Sequence, residues 1–156
     1  MTTASPAVTT GHPTSAVGAV LDALGRFPMS VLLLLIRVGV GMVFFKAGLL
    51  KYNSWEFTVL LFRDEYQVPL LAPELAARMA MVQELTLPVL LFLGLGARLA
   101  TLPLFGMLLV IQTFVYPNAW ADHLFWGGAL ALILTRGPGA LSLDHLIARR
   151  VSRRTM

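Results

Sequence analysis

Four apolar stretches, at about residues 29–50, 74–93, 98–115 and 121–134, constrain this chain more than any other feature. A helix that crosses a bilayer needs about 20 mostly apolar residues. Within hydrocarbon, backbone groups find partners only in helices or closed barrels. Runs of this length, separated by Pro- and Gly-bearing turns, predict an all-α fold, an integral membrane four-helix bundle. With 57% of its 156 residues hydrophobic and 13% charged, the chain needs a lipid solvent. Four spans use roughly half of it, which leaves no room for a separate soluble catalytic domain.

The segments around the spans read differently. Residues 1–27 open MTTASPAVTTGHPTSA, a composition too poor in bulky apolar groups to order itself, and are expected to form a flexible polar head. The run that follows is too long for a cleaved signal peptide and carries a central Arg. The transmembrane domain then covers residues 28–136. After the first span, Trp55, Val59, Phe62 and Tyr66 recur at helical spacing, with Glu56, Arg63, Asp64 and Glu65 off that stripe. This predicts a short interfacial helix, broken by Pro69 and Pro73. Gly94 to Gly96 closes the second span, and YPNAW, Tyr116 to Trp120, forms the turn that makes the third and fourth antiparallel. Residues 137–156 include SLDHLIARRVSRR, predicted to be a basic amphipathic helix on the membrane surface with Ser142 as its cap.

An even number of spans puts both termini on one side. That side carries Arg26, Arg98, Arg136, Arg149, Arg150, Arg153 and Arg154, and the other Lys51 and Arg63, with Arg78 near the start of the second span. The excess predicts cytoplasmic termini in a bacterial inner (plasma) membrane. The basic tail faces lipid headgroups in this reading, and no nucleic-acid partner is expected. The chain contains no Cys, which excludes thiol redox, thiolate-held metals and iron–sulfur clusters. Three His, of which only His123 is near a span, argue against haem.

Ionisable residues inside spans are costly and mark functional sites by default. Arg37, eight residues after Met29, lies about 12 Å in from the terminal side. Glu84, ten residues before Gly94 on the antiparallel second span, lies about 15 Å in from the same side. Matching depths predict an Arg37–Glu84 ion pair. Pro88 cannot donate to the carbonyl of residue 84, so carboxylate and freed carbonyl share one place. Gln83, Thr86, Gln112 and Thr113 would complete a polar pocket. Such a pair can equally be glue that sets helix register. Lys46 falls on the opposite face from Arg37 and is expected to extend its ammonium to headgroups. Gly41 and Gly48 fall near the Arg37 face and would let another helix approach.

Lys51, Tyr52, Trp55, Tyr116, Trp120, Asp122, His123 and Trp126 gather at the far end. An aromatic belt accounts for most of them. The same set, with Lys51, Trp120 and His123 as contacts, could form a mouth for a quinone or another amphipathic ring. His123 has no second His or carboxylate four residues on, so no metal site is predicted.

The motifs RVGVGMVFFKAGLLKY at Arg37 to Tyr52, ELTLPVLLFLGLGARLATL at Glu84 to Leu102 and GPGALSLDHLIARR at Gly137 to Arg150 resemble the DoxX family of small four-helix membrane proteins. The resemblance covers roughly Met29 to Arg150. It implies special positions at Arg37, Gly48, Lys51, Glu84, Gly94, Arg98, Gly137 to Gly139, Ser142 and Asp144. Lys46 departs from the pattern, where members often carry an aromatic residue or His. The family name derives from a quinone-reducing thiosulfate oxidoreductase, and other members are similar to accessory subunits of membrane redox or detoxification assemblies. The resemblance thus implies a membrane subunit with other protein subunits, or copies of itself, as partners, and the first reading is an accessory subunit that binds a quinone or a lipid. Two alternatives stay open: a quinone-linked oxidoreductase subunit using Glu84 and Arg37, and a small solute or metal carrier.

Overall fold

The computed structural model describes residues 16–154, so most of the expected flexible head, residues 1–15, lies outside the described residues. Within them the chain is helical throughout: α1 (Ala16–Gly25), α2 (Met29–Asn53), α3 (Trp55–Leu61), α4 (Pro73–Leu93), α5 (Ala97–Val110), α6 (Trp120–Arg136) and α7 (Leu143–Arg154). One-turn π-helical segments, Phe62–Tyr66 and Ile111–Val115, extend α3 and α5. The helix α1 departs from the expectation of an unordered head, because AVGAVLDALG is rich in Ala and Leu and propagates a helix once started. It contributes no buried residue to the bundle.

Helices α2, α4 and α5 with its extension are long and apolar enough to cross a membrane. With its 17 residues, α6 is at the short end of the spanning range and completes the helical membrane bundle. These helices are apolar all round. Leu35, Leu50, Leu99, Leu109, Leu124 and Phe125 point outward, exposed by 59% to 77%, as suits a lipid solvent and not water. The core lies where the four helices meet, with Phe44, Leu91, Leu104, Leu130 and Ile133 almost fully buried.

The closest packing is that of α2 along α4, and Gly48 makes it possible. A Cβ at Gly48 would lie 2.9 Å from the Glu84 Cβ and 3.0 Å from its backbone carbonyl carbon. Backbone cannot yield as a flexible side chain does. Gly48→Leu is therefore expected to force α2 from α4 and lower stability by about 1–3 kcal/mol, the usual cost of overpacking. Denaturation in detergent, followed by circular dichroism, measures this.

The same contact sets the register of the bundle. Gly48 is level with Glu84, and Arg37 is level with the turn at Gly94. The first two turns of α2 therefore run past that turn and pack against the loop after α6, where the Ala140 N–H donates to Ser30 Oγ at 3.3 Å and Gly139 touches Leu33. The stripe Trp55, Val59, Phe62 and Tyr66 packs on Ala76, Ala77 and Ala80 of α4, with Glu56, Arg63, Asp64 and Glu65 exposed. The interfacial helix thus folds back over the end of α4.

Candidate functional site

A cavity of about 580 Å³ opens beside the π-helical segment Phe62–Tyr66, bounded by α2, α4, α5 with its extension, and Trp126 of α6. Its walls are chiefly apolar: Val43, Phe44, Ala47, Met79, Ala80, Pro103, Met107 and Val110 among them. Polar groups come from few places. Lys51, at the last turn of α2, donates from Nζ to Glu84 Oε1 at 2.9 Å and lies 2.7 Å from Oε2. The Glu84 side chain is 3% exposed and that of Lys51 19%, so the pair borders the cavity without being open to bulk water. Gln83, Tyr66 and Tyr116 add an amide and two phenols.

The first π-helical turn ends at Tyr66 and the second ends one residue before Tyr116. The Tyr66 and Tyr116 rings meet edge to face, centroids 6.4 Å apart, and Phe62 meets Tyr66 in the same way at 5.1 Å. Burial first, then the neighbouring Tyr116, pushes the Tyr66 phenol above its ordinary range, so it remains a neutral donor at physiological pH. A π-helical turn inserts one residue into a helix and turns the following side chains to a new face. That is how Tyr66 and Tyr116 come to the cavity.

Arg37 is not part of this site, which corrects the predicted pairing with Glu84. Its guanidinium is fully buried at the opposite end, donating to the Leu91 carbonyl at 3.0 Å and the Leu141 carbonyl at 2.5 Å. Met29 is not level with Gly94, because α2 begins two turns beyond that turn. The true register moves Arg37 to the turn, eleven residues or about 16 Å along α2 from the Gly48 level. Beside it, Asp144 accepts from the Gly96 N–H at 2.8 Å and the Ala97 N–H at 3.3 Å, capping α5 from a distant segment. Ser142 Oγ accepts from the His145 N–H and donates to the Gly139 carbonyl, capping α7. Arg98 donates to the Thr135 carbonyl and lies against Gly137. A Cβ at Gly94, which sits at φ +64°, would overlap both Arg37 and Ser142. The motif positions thus divide in two: Gly48, Lys51 and Glu84 at the cavity, and Arg37, Gly94, Arg98, Gly137, Gly139, Ser142 and Asp144 in a clasp that ties the tail to the bundle.

The remaining candidates fall outside the cavity wall. His123 Nδ1 is hydrogen-bonded to Gln112 Oε1, and Gln112 Nε2 donates to the Pro117 carbonyl at 2.7 Å. Since the amide nitrogen is committed to Pro117, its oxygen faces His123 and the imidazole proton sits on Nδ1. This pair lies behind Trp126, whose ring is 5.3 Å from that of His123. Trp126 itself lines the cavity, whereas Trp120 is 60% exposed and faces away. Tyr66 was legible only as part of an apolar stripe, and the π-helical turn that redirects it has no sequence signal.

Among known proteins, a family model described as DoxX matches residues 32–117. That stretch contains Arg37, Lys51, Glu84 and most of the cavity. A relative described as an uncharacterized protein of Haemophilus influenzae (strain ATCC 51907 / DSM 11121 / KW20 / Rd) is 30% identical over 129 residues, 76% of this chain and 85% of the relative. No solved structure matches the chain.

Proposed function

This chain belongs to the DoxX family, and from that premise we propose that it is an accessory subunit of a membrane redox or detoxification assembly whose cavity holds the ring of a quinone. The observation that carries this reading is an apolar cavity of about 580 Å³, inside a membrane bundle, with its polar groups confined to Lys51, Glu84, Gln83 and two phenols. A quinone has a flat apolar ring, two carbonyl acceptors and an apolar tail. Ligand sites of this size combine apolar walls with a few placed polar groups. Lys51 and Tyr66 can donate to the carbonyls, Phe62 and Trp126 offer ring faces, and the tail continues into lipid.

A second reading makes the chain a quinone-linked oxidoreductase subunit. It is favoured by Glu84, a buried carboxylate at the cavity wall, in position to exchange a proton with a ligand carbonyl while Lys51 offsets negative charge. The electrons would come from a partner subunit. The basic residues on the terminal side support cytoplasmic termini in a bacterial inner membrane.

Gly106 provides the test. It lines the cavity, and a Cβ there meets nothing within 4 Å. A short-tailed benzoquinone is expected to quench the fluorescence of Trp126 saturably, and Gly106→Leu to weaken that binding at least tenfold while leaving the melting temperature unchanged or higher. Absence of saturable quenching, or equal affinity in Gly106→Leu, would overturn the quinone reading. Glu84→Gln in the assembled complex separates the two roles: electron transfer to quinone stops if Glu84 carries the proton and persists if the chain only holds the ligand.

A further inference from the structure

Lys46 belongs neither to the cavity nor to the clasp. The register of α2 places it deep: Arg37, level with the Gly94 turn, is nine residues before it, and Asn53, where α2 ends, is seven after. At 1.5 Å per residue these are about 13 Å and about 10 Å. A lysine near a span's end can extend its ammonium to the headgroups. Here the four-methylene stem ends short of the Asn53 level, where α2 stops. The residue is exposed on the outside of the bundle, and its side chain has no hydrogen bond or ion pair among the described residues.

Its surroundings form a seam. Leu35, Gly39, Met42, Lys46 and Leu49 follow at alternating steps of four and three, the spacing by which one helix presents a continuous ridge to another. Leu35, Met42 and Leu49 are 59%, 40% and 39% exposed. Nothing lies within 4 Å of a Cβ at Gly39, so a neighbouring backbone can approach there.

We infer that this face of α2 docks a transmembrane helix of another subunit, one that carries an Asp or Glu opposite Lys46. A charged side chain in hydrocarbon is costly and is found paired or facing a bundle interior. A carboxylate on the partner supplies the missing charge, and Gly39 supplies the close approach. A second copy of this chain fits poorly, because twofold packing on this seam sets Lys46 against Lys46. The exposed carboxylates of the described chain, Asp22, Glu56, Asp64, Glu65, Glu74 and Asp122, all lie at helix ends or in the interfacial segment. The inference rests on reading the chain as a subunit and not on the identity of the cavity's ligand.

The full chain has no Cys, so one introduced at Thr3 carries a single donor dye. The probe is a designed Leu/Ala transmembrane peptide with one central Glu and an acceptor dye, co-reconstituted with the chain in phosphatidylcholine vesicles. Energy transfer is expected to report association at least tenfold tighter than for the matching Gln peptide, and to fall tenfold in Lys46→Gln. Gly39→Leu should weaken it as well. Equal association of the Glu and Gln peptides, or no loss in Lys46→Gln, would overturn the inference and leave Lys46 to the headgroups. Self-association of the chain that persists in peptide excess and vanishes in Lys46→Gln would also overturn it, in favour of a second copy. Quinone quenching at Trp126, measured in the same variants, should be unchanged, which keeps failure of the seam distinct from failure of the cavity reading.

Discussion

Arg37→Met is expected to destabilise the bundle by roughly 3 kcal/mol or more and to release the C-terminal segment. The guanidinium is buried and joins two separate pieces of chain, the carbonyl of Leu91 near the end of α4 and that of Leu141 before α7. Hydrogen bonds to a charged group contribute about 1.5–3 kcal/mol each, and loss of the donor leaves two carbonyls unmatched in a dry place. Methionine fills part of the volume but donates nothing. Arg37→Lys should rescue little, since one ammonium does not reproduce the planar fork that reaches both carbonyls. Two measurements check this. Denaturation in detergent gives the stability, and limited proteolysis reports the clasp, with cleavage between residues 137 and 143 expected in the variants and not in the parent. Stability within about 0.5 kcal/mol of the parent would mean that the clasp is held without Arg37.

The second large effect concerns Lys51 and Glu84. Lys51→Met or Glu84→Met alone leaves one charge at the cavity wall with no counter-charge, and removing one partner of a buried pair costs about 3–5 kcal/mol. The double variant removes both charges and keeps the volume. It is expected to fold about as stably as the parent, because well-packed apolar replacements of buried pairs are often neutral or stabilising. Quinone binding should be lost in all three variants, which separates a structural from a ligand-binding role. A double variant as unstable as the sum of the two singles would show that the charges are not coupled. A double variant that folds and still binds quinone would show that the pair only holds helices together.

Much of the bundle was legible in the residues. Apolar run length located the long helices, because hydrocarbon thickness fixes how many residues a membrane helix needs. Pro and Gly located the turns, and the Trp55 to Tyr66 stripe identified the face that packs on α4. Lys51 and Glu84 were recognised as special one at a time. Their pairing was not, since a pairing depends on where one helix stops relative to another. Counting from Met29 treated the start of α2 as the membrane edge, whereas α2 begins two turns beyond the Gly94 turn and is held there by the loop after α6. That offset moved Arg37 into the clasp and brought Lys51 to Glu84.

The aromatic cluster shows the same division. Composition identified Tyr116, Trp120 and Trp126 as belonging to one end of the bundle, but helix rotation chose among them, and Trp126 faces the cavity while Trp120 faces out. What this sequence determined by itself is the solvent it folds in, the succession of apolar helices and the residue types that must find partners, because these follow from local transfer energies and backbone hydrogen bonding. Which partners those residues find was decided only by the tertiary structure, through the close approach at Gly48 and the two π-helical turns, since register and rotation are properties of pairs of helices and are not encoded in any one of them.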